Sequence, residues 1–147
     1  MNLYRKISEV MSTDLITVTP NTVLTKVSKI FDDHQIHHIP VVDTKEQIVV
    51  GMISKHDFNR TTHLYTRQGW EFAEAANVQL HKTLIAKDIM THDVIQIDED
   101  MTILEGVNLF LKNKFHALIV TKDSQCIGIV TPYDLLFEMK KLTVVLQ

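Results

Sequence analysis

Two Ser/Thr-x-x-Asp segments hold the residue types of this chain that are best suited to binding a ligand. Ser54 with Asp57, and Thr131 with Asp134, each follow a short apolar run and stand where a helix would begin. A helix N-terminus presents free backbone N–H groups and the positive end of the helix dipole, which attract phosphate. A carboxylate one turn later can accept hydrogen bonds from both vicinal hydroxyls of a ribose. The spacing therefore points to a nucleotide.

The same spacing also suits a purely structural role. Serine or threonine at the N-cap with an acid three residues later forms a capping box, which satisfies backbone N–H groups that the helix leaves unpaired. Pro132 directly follows Thr131 and favours this geometry, because proline is common at the first helical position. For one isolated segment, capping and ligand binding are both open, and the recurrence of the segment favours binding.

The two segments belong to a longer internal repeat. Gly51–Asp57 and Gly128–Asp134 share the order Gly, two apolar residues, Ser or Thr, two variable residues and Asp. The glycine would let a ligand lie close to the backbone. Upstream, Met11 recurs as Met90, and the correspondence keeps its register through a helix and two strands. A repeat of this length indicates paired supersecondary units that share a core.

Each copy of the repeat predicts the order β-α-β-β-α. The first copy is expected to have strands at Leu15–Val18, Ile39–Val42 and Ile48–Ile53, a helix capped by Asn21 with Val23, Val27, Ile30, Phe31 and His34 on one face, and a helix from Ser54. The second is expected to have strands at Val94–Ile97, Leu118–Val120 and Ile127–Val130, a helix capped by Asp100, and a closing helix from Thr131. The connecting segment, Asn59–Lys87, is predicted to be largely helical with a break near Gln68 and Gly69.

One copy is too small to bury both faces of its sheet. We therefore expect an α/β (α+β) fold in which the two motifs pack sheet to sheet as a pseudo-two-fold pair. The length of 147 residues and the hydrophobic content of 45% suit a packed domain of this kind.

Composition also limits which partners and which cellular compartment are expected for the protein. The net charge of −3 argues against a nucleic-acid partner, which usually selects a basic surface. The sequence has no run of 18 apolar residues and no N-terminal signal-peptide pattern, so no membrane span is expected. The single cysteine, Cys126, forms no internal disulfide, which fits the reducing cytoplasm. We expect a cytoplasmic protein.

In combination, these motifs resemble a tandem pair of CBS domains, also called a Bateman module. The resemblance is carried by Met-Ser/Thr-x-Asp at the lead-in of each copy, by Ile-His-His-Ile-Pro-Val-Val-Asp from Ile36, and by the Gly-to-Asp segments. It divides the chain into a first CBS domain at 7–60, a helical linker at 61–85 and a second CBS domain at 86–140. It implies a regulatory module that binds adenosine derivatives in two symmetry-related clefts, with the Asp holding ribose and the Ser or Thr reaching phosphate.

The resemblance also implies the residues of each cleft. The first cleft would use His37, His38, Ser54, Lys55, Asp57, Asp93, Val94 and Ile95. The second would use Asp14, Leu15, Ile16, His116, Ala117, Thr131 and Asp134. The copies differ at the expected phosphate end, where His38 is replaced by Ala117 and Lys55 by Pro132. The first cleft is therefore richer in groups that meet phosphate. No metal ligand set or catalytic residue is predicted, and imidazoles such as His37 are expected to face phosphate or solvent.

Two functions of different classes remain open from the sequence. The first is a non-enzymatic module that binds AMP, ADP, ATP or a related nucleotide as a regulatory ligand, has no cofactor, and signals by a change of conformation or association. The alternative is a structural or partner-binding dimerisation module whose Ser/Thr-x-x-Asp segments are only caps. In either case a separate effector protein is a possible partner. A homodimer is predicted from the apolar residues of the last helix, which are Leu135, Leu136, Met139, Leu142, Val144, Val145 and Leu146.

Overall fold

A computed structural model of the chain describes residues 2–63, 70–112 and 114–144. The helices are α1 (Leu24–Asp33), α2 (Lys55–His63), α3 (Trp70–Thr83), α4 (Ala86–Ile89), α5 (Ile103–Leu111) and α6 (Pro132–Val144), and a 3-10 turn lies at Ile7–Glu9. The strands are β1 (His38–Val42), β2 (Val49–Ser54), β3 (Gln96–Asp98), β4 (Leu118–Lys122) and β5 (Gln125–Val130). The α/β fold class is confirmed by this mixture of helices and strands.

The chain forms two compact units whose boundaries cross those of the sequence repeat. The central unit is Ile16–Asp93, and the terminal unit combines Met1–Leu15 with Val94–Gln147. Each unit therefore takes the short lead-in segment of one repeat and the strands of the other.

In the central unit, β1 and β2 form an antiparallel hairpin. Val18 adds a single parallel bridge to Val41 beside it. Helix α1 buries Leu24, Val27 and Phe31 on one face. Val27 and Phe31 were predicted there, and Leu24 was not. The core of this unit contains Val18, Leu24, Val27, Phe31, Ile39, Val41, Ile53, Phe58 and Ala86.

In the terminal unit, β3 lies parallel to β4, and β4 pairs antiparallel with β5. The 3-10 turn is held to the start of α5, because Ile7 N donates to Met101 O at 2.7 Å and Ile103 N donates to Arg5 O at 2.9 Å. The core of this unit contains Ile7, Ile97, Ile103, Leu118, Val120, Val130 and Leu135.

Three local predictions from the sequence are wrong. The strand predicted at Leu15–Val18 is reduced to the bridge at Val18, and Leu15 N donates locally to Thr13 O at 2.8 Å in place of a bond to a neighbouring strand. The N-cap of α1 is Val23, not Asn21. The N-cap of α5 is Thr102, not Asp100.

The shifted helix starts have a common cause in backbone pairing upstream of each helix. Before α1, Leu24 N donates to Leu84 O at 3.0 Å and Ala86 N donates to Thr22 O at 2.8 Å. Residues 22 and 23 are thus paired with a neighbouring segment, and the helix starts directly after them, at Leu24. Val23 and His34, which were predicted on the buried face of α1, are exposed.

The segment between the repeats is helical where the structure describes it. Helix α2 runs to His63 and α3 begins at Trp70, so the predicted break near Gln68 and Gly69 lies outside the described residues. Among the described helices, none combines the length and the apolar character that spanning a membrane requires.

Candidate functional site

The first Ser-x-x-Asp segment lies at the junction between β2 and α2. Ser54 ends the strand and its Oγ accepts a hydrogen bond of 3.0 Å from Asp57 N, which caps the helix. The same hydroxyl donates to Asp57 Oδ2 at 2.6 Å. The capping interpretation is therefore correct for Ser54, and it uses one oxygen of the carboxylate.

The other carboxylate oxygen of Asp57 makes only long contacts. His56 Nδ1 and Arg60 Nη2 each lie 3.8 Å from Oδ1, which is beyond hydrogen-bond distance. Within the described residues, the hydrogen bonds to this carboxylate come from Ser54 alone. The side chain of Asp57 is 26% exposed, so Oδ1 is open to an added donor.

Three more residues of the first predicted set, His37, His38 and Lys55, lie at this junction in the central unit. His38 lies opposite Ser54 in the β1–β2 register. Lys55 N donates to His37 O at 2.8 Å, which places His37 beside the first turn of α2. His37 is exposed, and His38 and Lys55 are half-buried.

Most residues of each predicted set belong to one of the two units, and the rest belong to the other. Asp93 is exposed and belongs to the central unit with His37, His38, Ser54, Lys55 and Asp57. Val94 and Ile95 belong to the terminal unit. Of the second set, the terminal unit holds Asp14, Leu15, His116, Ala117, Thr131 and Asp134, whereas Ile16 belongs to the central unit. Ala117 is buried at 8% exposure and His116 is exposed.

The second segment, at the junction of β5 and α6, engages both oxygens of its carboxylate. Asp134 Oδ2 accepts hydrogen bonds of 2.7 Å from both Thr131 N and Thr131 Oγ1. Asp134 Oδ1 accepts a hydrogen bond of 3.1 Å from Ser12 Oγ. Among the residues that the structure describes, this carboxylate therefore has three hydrogen-bond donors, and the carboxylate of Asp57 has one.

Ser12 is a hydrogen-bond partner of Asp134 that the sequence reasoning missed. Its backbone pairs with β5, because Ser12 N donates to Ile129 O at 2.9 Å and Ile129 N donates to Ser12 O at 3.0 Å. The sequence signal was the Met-Ser/Thr-x-Asp lead-in, which recurs with Thr91 at the matching position. Thr91 pairs with Met52 in the central unit through bonds of 3.0 and 2.9 Å.

The motif glycines make room for methionine side chains, whereas the sequence analysis expected them to make room for a ligand. A Cβ at Gly51 would lie 2.9 Å from Met90 Cγ and 3.0 Å from Thr91 O. A Cβ at Gly128 would lie 2.8 Å from Met11 Cγ. Each glycine leaves space for the methionine side chain of a lead-in segment, and that methionine fills the space beside the glycine backbone.

The two junctions also differ in charge. Around Asp57, the first turns of α2 carry Lys55, His56 and Arg60, and His56 and Arg60 are exposed. At the matching positions, α6 carries proline, tyrosine and phenylalanine. The junction at Asp57 is therefore the more favourable of the two for a phosphate. In the described part of the chain, no cluster of three or more His, Cys, Asp and Glu side chains is arranged to hold a metal ion.

Comparison with known proteins finds the same repeat. The CBS domain family matches residues 7–62 and 86–141. Inosine-5'-monophosphate dehydrogenase of Methanocaldococcus jannaschii is 29% identical over 137 residues, which cover 92% of this chain and 24% of the dehydrogenase. This chain spans 24%, 38% and 60% of three of its curated relatives, so the match extends over only part of those proteins.

Two solved structures with adenosine-type ligands share the fold. The CBS domain pair of protein MJ0100, in complex with 5'-methylthioadenosine and S-adenosyl-L-methionine, is 26% identical with a TM-score of 0.71, covering 93% of this chain and 98% of that one. CBSX2 in complex with AMP is 20% identical with a TM-score of 0.74, covering 93% and 97%. CBSX2 is from Arabidopsis thaliana. At this identity the likeness to CBSX2 concerns the fold.

Proposed function

The chain belongs to the CBS domain family as a tandem pair, and from that premise we propose that it is a non-enzymatic regulatory module that binds adenosine-type nucleotides. The regulatory ligand is AMP, ADP, ATP or a related adenosine compound, and no cofactor takes part. Binding shifts the conformation or the association of the module, and a separate effector protein receives the signal.

The observation that carries the proposal is the open carboxylate oxygen of Asp57 at the N-terminus of α2. Ser54 holds Oδ2, and the His56 and Arg60 nitrogens at 3.8 Å leave Oδ1 without a close donor. A ribose diol supplies two O–H donors in the fork that a carboxylate accepts. We assign the ribose to Asp57.

The surroundings of Asp57 suit the phosphate that would follow the ribose. Lys55, His37 and His38 lie at the same junction, and the first amides of α2 add partial positive charge. The roles of Val94, Ile95 and Asp93 in the first cleft, and of the second set as a nucleotide site, remain predictions of the family resemblance. The ligands of MJ0100, a relative at 26% identity, support the adenosine class.

A thermal-shift screen of nucleotide-stripped protein tests the proposal. The panel is AMP, ADP, ATP, S-adenosylmethionine, NAD and cyclic dinucleotides. A ligand at 100 times its Kd adds about 2.7 kcal/mol to the free energy of unfolding, which raises the melting midpoint of a chain of this size by roughly 2–8 °C. The absence of a shift with every compound would reject nucleotide binding.

The substitution Asp57→Ala identifies the responsible residue. We expect it to abolish the ligand-induced shift at the first cleft, because the diol loses its acceptor. Asp32→Ala is the matched control, since it removes an exposed acid from the end of α1 in the same unit. A shift that survives Asp57→Ala unaltered would contradict the ribose assignment.

A second candidate function is a structural or partner-binding dimer without a nucleotide. It is favoured at Asp134, where Ser12 and Thr131 already satisfy the carboxylate. The thermal-shift screen separates the two functions, because a purely structural dimer gives no shift with any nucleotide.

The proposal includes a homodimer formed through α6 and a cytoplasmic location. Tyr133, Leu136, Phe137 and Met139 are exposed at 72%, 62%, 49% and 51%, so α6 presents an apolar face. Leu135, which was expected on that face, is buried at 6% in the core. The side chains of Leu142, Val144, Val145 and Leu146 lie outside the described residues. The cytoplasmic location is supported by the single cysteine, Cys126.

A further inference from the structure

We propose that Ser12 determines which of the two Ser/Thr-x-x-Asp segments accepts a ribonucleotide. The Ser12 hydroxyl donates a hydrogen bond to the Asp134 carboxylate, as a ribose hydroxyl would. Asp134 therefore binds a ribose diol weakly, whereas Asp57 binds it well. The proposal rests on nucleotide binding as the function of the module. It adds a residue that sets the selectivity between the clefts.

The hydrogen bonds of Asp134 carry the argument. An ionised carboxylate offers about four acceptor positions, two on each oxygen. Thr131 N and Thr131 Oγ1 use Oδ2 at 2.7 Å each, and Ser12 Oγ uses Oδ1 at 3.1 Å. A diol that approaches this carboxylate must compete with the Ser12 hydroxyl for Oδ1.

Ser12 is held in place by its backbone. Both of its backbone hydrogen bonds join it to Ile129 of β5, at 2.9 and 3.0 Å. The preceding residue, Met11, fills the space beside Gly128. The strand-like pairing fixes the Cα position, so a ligand can release Asp134 only by rotating the Ser12 side chain away from it.

The first copy of the repeat provides an internal comparison. Thr91 occupies the matching position and pairs with Met52 through the same two backbone bonds, at 3.0 and 2.9 Å. Among the described residues, the hydroxyl of Thr91 makes no hydrogen bond to Asp57, whose carboxylate is bound by Ser54. The same lead-in position therefore blocks one carboxylate and leaves the other open.

A structural role for Ser12 is the rival explanation. The Ser12–Asp134 bond links the lead-in segment to α6, and its loss would then change stability without changing ligand affinity. Affinity for a ribonucleotide separates the two roles, because only competition predicts that removal of a hydroxyl tightens binding.

The test measures AMP binding by isothermal titration calorimetry on the full chain. Asp57→Ala isolates the second segment, and Ser12→Ala is added to it. We expect the added change to tighten AMP binding at the second segment by roughly tenfold, the lower end of the effect of a hydrogen bond to a charged group. Ser12→Ala alone should leave the affinity at Asp57 unchanged.

Two further variants keep the test decisive. Ser12→Val removes the hydroxyl with a residue that favours extended backbone, and it should reproduce the result if Ser12→Ala folds poorly. Thr13→Ala removes the neighbouring exposed hydroxyl and should not alter AMP binding.

The outcomes distinguish this inference from the proposed function. If the wild type binds AMP at Asp57 and removal of the Ser12 hydroxyl leaves second-segment binding unchanged or weaker, competition by Ser12 is wrong and the module remains a nucleotide sensor. If neither the wild type nor any variant binds AMP, the role of Ser12 in selecting the site for AMP fails, and the thermal-shift panel decides separately whether the module binds another adenosine compound.

Discussion

The side chain of Met11 fills the space that a side chain at Gly128 would need. A Cβ at Gly128 would come within 2.8 Å of Met11 Cγ and 3.1 Å of its Cε. Met90 and Gly51 repeat the relationship in the other unit. The glycine of each motif is thus a packing position for a lead-in methionine from the other repeat, and this reciprocal exchange joins residues that are far apart in the chain.

The first prediction follows from this contact. Gly128→Ala should lower the free energy of unfolding by about 1–3 kcal/mol, because the added methyl overpacks a filled site. The same Gly128→Ala change should cost less free energy of unfolding when it is made in the Met11→Ala variant than when it is made in the wild type, because the truncated side chain leaves room for the added methyl. Urea denaturation followed by circular dichroism measures all three variants.

The matched experiment at Gly51 should show less recovery. Its added Cβ would meet Met90 Cγ at 2.9 Å and also the backbone oxygen of Thr91 at 3.0 Å, which truncating Met90 does not remove.

Purely additive losses for Gly128→Ala and Met11→Ala would show that the two side chains do not compete for the same space.

The second prediction concerns the cap of α5. Thr102 N donates to Glu105 Oε2 at 2.8 Å, and Glu105 N donates to Thr102 Oγ1 at 3.3 Å, which completes a capping box. Thr102→Ala should reduce the free energy of unfolding by about 1 kcal/mol. Thermal unfolding at pH 7 provides the measurement.

The pH dependence of this change tests the cause. Hydrogen bonds from Thr102 lower the pKa of Glu105 below its ordinary value near 4.5. A lowered pKa stabilises the fold above the unfolded pKa, and that contribution is lost as the pH falls through the folded pKa. The cost of Thr102→Ala should therefore be smaller at pH 3 than at pH 7. An equal cost at both values would contradict the capping box as its source.

The sequence predicted the features that depend on local spacing. The repeat identified the CBS pair, and the apolar periodicity placed Val27 and Phe31 on the buried face of α1, although it missed Leu24 and wrongly included Val23 and His34. Caps were predicted less well, because Asn21 and Asp100 are suitable residue types that lie outside the helix starts. Pairing between distant segments, such as Thr22 with Ala86, fixed where α1 begins.

Contacts between distant residues also limited the prediction of the site. Ser54 and Asp57 are three positions apart, and their mutual hydrogen bonds follow from the geometry of a helix start. The Ser12–Asp134 bond joins residues 122 positions apart, and no periodicity predicts it. The sequence therefore located both acids, and only the fold revealed that Asp134 also accepts a hydrogen bond from a hydroxyl of a distant segment.

The third prediction concerns His81 on α3. Its Nε2 is shielded from solvent and has no hydrogen-bond partner among the described residues. The ring lies 5.1 Å from the ring of Phe58, which is buried against Phe31. Burial lowers the pKa of His81 below its ordinary value near 6.5.

The sign of the pH effect follows from proton uptake. Below about pH 6.5 the unfolded chain protonates this histidine more readily than the folded chain, so stability falls as the pH decreases. His81→Leu should flatten this part of the stability profile between pH 7 and pH 5, measured by urea denaturation. His56→Gln is the control, because His56 is 85% exposed. A profile unchanged by His81→Leu would show that other groups cause the acid sensitivity.

The last prediction concerns the apolar face of α6. Tyr133 stacks on Phe137 with ring centroids 6.3 Å apart, and Lys141 Nζ lies 4.9 Å above the ring of Phe137. Leu136 lies beside them at 62% exposure. If this face joins two copies of the chain, Leu136→Glu should shift the protein from dimer to monomer, since two buried carboxylates would oppose each other across the two-fold axis. Sedimentation velocity over a concentration series measures the change. Thr25→Glu adds the same charge to exposed α1 and should leave the dimer intact. A sedimentation coefficient that Leu136→Glu does not alter would exclude α6 as the dimer interface.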